Sequence, residues 1–419
     1  MTFLISTLIF VLLILSWKYI LRLEPAGIFS LVWGVMFVAI LLMQEFFELR
    51  FYGIIYLIGL VIIFSLGTYF CDTTVHPKPS GISLMFRSNV ALPLMVVLLV
   101  GAMVNPLYSI VLHGFSLQAL LSIQDLLNLN KGMSEMRYAG AEVQDIVSQI
   151  FLIFSYTAPL LGGFCYRWSS KMTKTVCILT LIPGMFIALT QSMKMVMMTG
   201  FILWFTGFFV SSFSYGKPVR IKGKAVLYTI LGLFGFFVIL FSSMVFRTGE
   251  VSERTIHDIS EKFFTYALGH FHCFDIWFTS YEPANYNYGT KTLMGISNLL
   301  GLEERGQGIY AEYMQVGKNG YHGISNVFTA FRPLIEDFGE AGSYAFMFFL
   351  GFLSKLSLKY LTAGRMIFLN QTLLSALYAY LIWSFAASFF AYTSYLAMFF
   401  VAYFLFRFLQ TETAHAETD

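Results

Sequence analysis

The sequence predicts an all-α polytopic membrane protein of about eleven transmembrane helices, with one large external loop between helices 8 and 9. Composition leads to that prediction, because 58% of the 419 residues are hydrophobic, only 12% are charged and the mean hydropathy is +0.72. A soluble domain carries about 25% charged residues. A water-soluble enzyme, a disordered chain and a nucleic-acid-binding protein are therefore excluded, and no nucleic acid is expected as a partner.

Eleven apolar runs are long enough to cross a bilayer, which takes about 17–25 helical residues. The first run lacks the basic segment and small-residue cleavage site of a removed signal peptide, so we expect it to be retained as a span. The predicted division is 1–245 for helices 1–8, 246–338 for the loop, 339–410 for helices 9–11 and 411–419 for a polar cytoplasmic tail. The runs lie near 2–21, 27–43, 53–70, 89–112, 146–165, 174–190, 195–214, 225–245, 339–357, 367–387 and 391–409.

The distribution of charged residues predicts the orientation of these spans. If the loop after the first span is cytoplasmic, 15 of the 26 Lys and Arg residues fall on that side, and 18 of the 23 acidic residues fall on the other. Lys and Arg are enriched in short cytoplasmic loops. We therefore expect an external N-terminus, a cytoplasmic C-terminus and two long external segments, at about 113–145 and 246–338.

Six basic residues on the external side are candidates for binding a diphosphate. Arginine offers a rigid fork of donors that matches a phosphate and stays charged at any relevant pH. Lys194 lies in a tight turn between two spans, where a charge is costly unless it is used. The alternative is that each residue snorkels or pairs with an external acid. The six candidates are Arg137, Lys194, Arg247, Arg254, Arg305 and Arg332.

The end of the large loop, HGISNVFTAFRPLIEDFGEAG, provides the candidate proton acceptors. Glu336 and Asp337 stand at the mouth of the ninth span, where a partly dry carboxylate can serve as a general base. Asp337 fits an N-cap of the ninth helix as well. His322, at the start of this stretch, is the third candidate, and the other loop carboxylates considered are Glu303, Glu304 and Glu312.

Several sequence features speak against a metal or a bound cofactor, so we expect neither. The external segments contain no Asp-x-Asp motif, and His270 and His272 lack the i,i+4 spacing of a helical metal pair. No CxxC pair and no nucleotide-binding glycine motif occurs.

Apolar residues at helical spacing over 255–271 predict a helix, which either lies on the membrane surface or packs on the bundle.

Several stretches of the chain resemble the Wzy-type O-antigen and capsule polymerases of bacteria, which join oligosaccharide repeat units. The similarity includes Arg247-x-Gly249, Tyr266-x-x-Gly269 and NYGTKTLMGISNLLG, and it is clearest in SNVFTAFRPLIEDFGEAG. The profile of many spans with one large loop in the second half resembles that family over nearly the whole chain.

The resemblance implies a metal-independent membrane glycosyltransferase of the GT-C type in the bacterial inner membrane, active on the periplasmic face. Such an enzyme moves a glycan from undecaprenyl diphosphate to the non-reducing sugar of a new lipid-linked repeat unit, building O-antigen, capsule or exopolysaccharide. Cations would bind the diphosphate, a carboxylate or histidine would accept the proton, and loop aromatics would stack on sugars. The aromatic candidates are Tyr266, Trp277, Tyr313 and Tyr321.

The partners implied are undecaprenyl-diphosphate-linked glycans, membrane lipid, and a chain-length regulator and flippase of the same pathway. Two alternatives stay open. An O-antigen ligase uses the same donor but passes the glycan to a lipid A core. A flippase or other transporter of lipid-linked oligosaccharides would carry ionisable residues within its spans, and the spans here hold almost none.

Overall fold

The computed structural model of the protein describes residues 2–140, 145–217, 219, 223–248, 252–282, 285–303, 310, 312–318 and 323–414. Of the described residues, 77% are helical. Four short strands are β1 Ile82–Phe86, β2 Met314–Gln315, β3 Ile324–Ser325 and β4 Gln410–Ala414. The α-helices are α1 Thr2–Arg22, α2 Pro25–Leu42, α3 Tyr52–Thr74, α4 Ser88–Leu112, α5 Ile123–Tyr138, α6 Ile146–Tyr166, α7 Lys171–Leu179, α8 Ile182–Gln191, α9 Lys194–Ser214, α10 Gly223–Thr248, α11 Glu253–Ser280, α12 Met294–Leu299, α13 Phe331–Thr362, α14 Ile367–Trp383 and α15 Thr393–Leu409.

Eight helical segments of the described chain are long and apolar enough to cross a membrane. They are α1, α2, α3, α4, α6, the α7–α8 pair, α9 and α13. Three shorter apolar helices occur at Phe234–Thr248, α14 and α15. These are the helices of a polytopic membrane protein, as the composition predicts, and the count of eleven spans stays a prediction.

The described chain folds into two compact units. Unit 1 contains the described residues of Met1–Ile82, Glu261–Leu396 and Ala414–Asp419. Unit 2 contains those of Ser83–Ser260 and Ala397–Thr413. Each unit combines membrane helices with part of a long segment that the charge distribution assigns to the external side, so each unit has its own candidate residues.

In unit 1, α3 and α13 approach each other so closely that backbone meets backbone. A Cβ added to Gly67 would overlap the carbonyl oxygen of Phe348, and a Cβ added to Gly351 would overlap that of Phe64. Small residues allow this kind of approach between membrane helices. The two glycines therefore set the distance between α3 and the helix that carries the predicted proton acceptors.

The core of unit 1 continues into the predicted large loop. The ring of Trp33 lies 5.5 Å from that of Phe271 on α11 and 5.2 Å from that of Phe331 on α13. Every residue of α11 from Leu268 to Asp275 is buried. Of the two arrangements open for this helix, packing on the bundle is correct for these residues, and a position on the membrane surface is wrong for them.

A network of charged side chains ties together one end of unit 1. The Nζ of Lys355 lies 2.6 Å from Glu24 and 3.3 Å from Asp72. Lys18 and Lys359 also pair with Asp72, at 2.7 Å and 3.3 Å. The charge distribution predicts that all five residues lie on the cytoplasmic side. Their contacts agree with that prediction, because they bring the corresponding ends of α1, α3 and α13 together.

In unit 2, α6 and α9 repeat the close helix packing. A Cβ at Gly163 would overlap the carbonyl oxygen of Trp204, and a Cβ at Gly207 would overlap that of Leu160. Strands β1 and β4 pair in a two-stranded sheet. The predicted external segment 113–145 of this unit contains α5, whose last turn carries Arg137.

Candidate functional site

Four of the six predicted diphosphate-binding cations have described side chains. Arg137, Lys194 and Arg247 belong to unit 2, and Arg332 belongs to unit 1. Arg305 lies outside the described residues, and so does the side chain of Arg254. The two sets of described cations have different surroundings, which are treated unit by unit.

In unit 2, Arg247 lies against the ring of Tyr138, the residue that follows Arg137 in α5. Arg247 is in the last turn of α10, and its guanidinium carbon lies 4.6 Å from the ring centre of Tyr138. A cation over an aromatic face is attracted by the ring quadrupole. Tyr138 follows Arg137 directly, and its side chain is 57% exposed. The tyrosine therefore brings the end of α10, with Arg247, to the end of α5, the helix that carries Arg137.

The C-terminal end of α8 joins the helices that carry these cations. On α5, Asn130 donates from Nδ2 to the carbonyl oxygen of Leu189 at 2.6 Å. On α10, Ser243 donates to the carbonyl oxygen of Ala188 at 2.5 Å. The last carbonyl groups of a helix have no partner within it. By satisfying two of them, the side chains fix α5 and α10 to the turn that leads to Lys194.

Lys194 is the first residue of α9 and follows Ser192, which has left-handed backbone geometry (φ 56°). The preceding Met193 makes no side-chain hydrogen bond to the first N–H groups of the helix. A helix N-terminus carries a positive partial charge and binds anions well. Lys194 increases the positive charge at that point. Arg137, Lys194 and Arg247 together form what we term the cationic end of unit 2.

Arg332 of unit 1 has a different environment, because it is paired with carboxylates. Its side chain is only 8% exposed. Its Nε donates to Oε1 of Glu336 at 2.9 Å, one turn further along α13. Its Nη1 forms an ion pair with Glu312. This guanidinium is therefore already paired with two carboxylates. Pairing with an external acid is the alternative to phosphate binding that the sequence left open for each of these arginines.

Three aromatic rings enclose the same guanidinium. The Cζ of Arg332 lies 3.8 Å from the ring centre of Tyr310, 4.1 Å from that of Phe328 and 4.9 Å from that of Trp277. Guanidinium groups stack well on aromatic faces, and the interaction strengthens when water is excluded. The arginine is therefore held in one orientation by rings as well as by carboxylates.

Glu336 has a more accessible carboxylate than its neighbour Asp337, since the Glu336 side chain is 15% exposed and Asp337 is fully buried. It accepts a hydrogen bond from the Tyr310 hydroxyl at 3.1 Å as well as from Arg332. Burial raises the pKa of Tyr310 well above its ordinary value, and the negative charge of Glu336 adds to the rise. Tyr310 therefore remains a hydrogen-bond donor to this carboxylate across the physiological range.

Asp337 has a different role from its neighbour. It is fully buried, and its carboxylate accepts the backbone N–H groups of Lys291 at 3.1 Å and Thr292 at 2.6 Å. Gly339, with φ 70° and ψ 178°, separates a short first segment of α13 from the apolar segment that follows. Asp337 lies in the short segment and anchors the loop, so the sequence-based idea that it caps the ninth helix is not what the hydrogen bonds show.

The predicted sugar-stacking residues divide into buried and exposed ones. Trp277 is buried, with its ring 4.6 Å from that of Tyr281, and it lies against Arg332. Tyr313 is 59% exposed. Tyr321, His322 and the side chain of Tyr266 lie outside the described residues.

Sequence reasoning missed the anchoring role of Asp275. This fully buried residue of α11 accepts the backbone N–H groups of Arg50 at 2.5 Å, Phe51 at 2.8 Å and Gly53 at 2.8 Å, and so caps the start of α3. Its sequence signal was an acidic residue inside an otherwise apolar helical stretch. Tyr138 was missed as well, because nothing local marks it as the partner of Arg247.

The buried histidines of α11 do not form a described metal site. His270 and His272 are each 2% exposed, and burial lowers the pKa of His270 to about 3. Burial also lowers the pKa of His272. Within the described residues, no three His, Cys, Asp or Glu side chains group closely enough to hold a metal ion.

Comparison with known proteins adds no relative. No protein family matches the chain, and no curated protein and no solved structure is significantly similar to it.

Proposed function

We propose that the protein is a membrane glycosyltransferase that polymerises lipid-linked oligosaccharide repeat units outside the cytoplasmic membrane. The donor is a glycan on undecaprenyl diphosphate, and the product is an O-antigen, capsule or exopolysaccharide. The observation that carries the proposal is the cationic end of unit 2. Arg137, Lys194 and Arg247 lie at the ends of three different helices of unit 2, and in this proposal a membrane-anchored diphosphate binds at those helix ends.

In the proposed reaction, the acceptor hydroxyl oxygen forms a bond to the anomeric carbon of the donor glycan. The bond between that carbon and the diphosphate oxygen breaks, and its electron pair leaves with the diphosphate. The transition state resembles an oxocarbenium ion. Negative charge develops on the leaving group, and preorganised cations where water is scarce stabilise such charge strongly. That is the role proposed for Arg137, Lys194 and Arg247.

Of the two described carboxylates predicted to accept the hydroxyl proton, Glu336 and Asp337 of unit 1, Glu336 is the better supported. Asp337 uses its carboxylate to hold two backbone N–H groups. Glu336 is partly exposed and is oriented by Arg332 and Tyr310. In this proposal, Arg332 therefore positions Glu336 and is not itself a ligand of the diphosphate.

Deletion of the gene in its host tests the proposal. The surface polysaccharide should lose its ladder of long chains, while single repeat units are still attached and visible on a gel. A plasmid copy should restore the ladder. A ladder that persists without the gene contradicts the proposal.

The same experiment separates the alternatives. A ligase deletion removes all attached glycan and leaves long polymer on the lipid carrier. A flippase deletion traps single repeat units on the cytoplasmic face. In the strain without this gene, the lipid carrier should instead bear single repeat units on the external face of the membrane. Once this lipid is extracted, purified protein should convert its repeat units to dimers and longer chains with release of undecaprenyl diphosphate.

A further inference from the structure

Unit 2 contains a cleft that none of the predicted site residues lines. Inside it, the space that the centre of a water-sized sphere can occupy is about 50 Å³, several times what a single water molecule needs. None of its ten described lining residues is Asp, Glu, Lys or Arg. Six of them are polar side chains: Asn105, Ser109, His113, Ser148, Gln149 and Gln191.

Two amide side chains of the cleft are buried although they belong to apolar helices. Asn105 on α4 is 6% exposed and Gln191 at the end of α8 is 3% exposed. Gln191 donates from Nε2 to the carbonyl oxygen of Pro106 at 3.3 Å. Burying an amide costs free energy unless its polar atoms have partners. Two such groups facing one cleft indicate that the cleft is built for hydrogen bonding.

His113 closes the α4 side of the cleft in a fixed orientation. Its Nδ1 lies 2.7 Å from the carbonyl oxygen of Ser109, so Nδ1 is the donor. On the opposite side, Ser148 belongs to the capping box of α6, in which the carboxylate of Asp145 accepts its backbone N–H at 2.7 Å. The polar lining is thus held by helix ends before any ligand binds.

The chemistry of the lining matches a neutral ligand with many hydroxyl groups. Amide and hydroxyl side chains both donate and accept hydrogen bonds, as sugar hydroxyls do. The other lining residues, among them Leu152, Ile187 and Val196, are apolar and suit the flat face of a sugar ring. A diphosphate would find no cationic partner inside the cleft itself.

The position of the cleft identifies which sugar it would take. Met193 and Val196 line it, and Lys194 lies between them in the sequence, at the start of α9. We infer that the cleft binds the sugar attached directly to the diphosphate, while Lys194 contacts the diphosphate. This inference rests on the proposed function and adds a sugar subsite to it.

Cysteine labelling tests the subsite. The four native cysteines are buried, so a membrane-impermeant maleimide should react with them slowly. Ser109→Cys places a reactive thiol in the cleft. Gln118→Cys, which lines a second cleft of the same unit, is the matched control. Each variant is reconstituted in nanodiscs with undecaprenyl diphosphate alone, or with the lipid-linked repeat unit extracted from the deletion strain.

The repeat-unit lipid should slow labelling of Ser109→Cys about tenfold, whereas undecaprenyl diphosphate alone and the Gln118→Cys control should show no protection. Equal protection by both lipids would overturn the inference, because the cleft would then hold the diphosphate. Protection by neither lipid, in a Ser109→Cys protein that still restores the ladder, would also overturn it and identify a water-filled cleft. Failure of the proposed function is recognised separately, because purified wild-type protein would then release no undecaprenyl diphosphate from the repeat-unit lipid.

Discussion

Arg332 and Glu336 lie one helical turn apart on α13, and the Nε of the arginine donates to the carboxylate of the glutamate at 2.9 Å. Both side chains are largely out of water, with 8% and 15% exposed. Removing one partner of a buried ion pair leaves the other charge uncompensated. The two residues should therefore depend on each other for stability.

The first prediction concerns that dependence. Arg332→Met alone should destabilise the protein by about 3 kcal/mol, because the carboxylate of Glu336 loses its buried partner. Adding Glu336→Gln should recover part of the loss, since the carboxylate then left without this cation is that of Glu312, whose side chain is 49% exposed. The measurement is the thermal midpoint of the purified protein in detergent.

A matched control is Arg50→Met, because Arg50 is exposed and contributes only its backbone N–H to Asp275. That variant should melt close to wild type. If the losses from Arg332→Met and Glu336→Gln simply add in the double variant, the two residues are not coupled and the positioning role proposed for Arg332 is wrong.

The second prediction concerns the cationic end of unit 2. Arg247→Ala and Lys194→Ala should each lower the polymerisation rate by roughly 10²–10³-fold, the usual effect of removing one group that stabilises transition-state charge. Arg247→Lys should recover only part of the rate, because lysine lacks the planar fork. The rate is measured as release of undecaprenyl diphosphate by purified protein.

Lys131→Ala provides the control for this series, since Lys131 is an exposed cation on α5, the helix that also carries Arg137. It should leave the rate and the ladder unchanged. Wild-type rates in both Arg247→Ala and Lys194→Ala would remove the cationic end from the proposed site.

The membrane helices could be predicted from the sequence because lipid imposes one strong rule. Backbone groups in a bilayer must be satisfied internally, so a spanning segment is a long apolar helix that a hydropathy profile detects. The predicted start of the ninth span at residue 339 coincides with the break that Gly339 makes in α13. The class of the fold and most helix positions follow from that rule alone.

The site was harder to predict because its contacts join residues far apart in the chain. Asp275 caps a helix that begins more than two hundred residues earlier. Arg332 looked like a ligand for phosphate because the sequence shows its charge but not its partners, Glu312 and Glu336. Charge and residue type are local signals, whereas pairing and burial depend on the folded chain.

The third prediction concerns close helix packing. Gly207→Ala should destabilise the protein by about 1–3 kcal/mol, since its Cβ would overlap the carbonyl oxygen of Leu160 and force α6 and α9 apart. Gly235→Ala on α10 is the control, because a Cβ there meets nothing within 4 Å. Thermal midpoints should fall for the first variant and hold or rise for the second. Equal midpoints would mean that α6 and α9 are not in backbone contact.

The fourth prediction concerns pH. Burial lowers the pKa of His270 to about 3, whereas the side chain of an unfolded histidine has its ordinary pKa of 6.5. Between those values the unfolded state binds a proton that the folded state does not, so stability falls as pH decreases, by up to about 1.4 kcal/mol per pH unit from this residue. His270→Phe removes that proton and suits the neighbouring rings of Phe271 and Phe385. The thermal midpoint, measured from pH 7 to pH 4, should fall less steeply for the variant than for wild type. Parallel curves would show that His270 is accessible to protons in the folded protein.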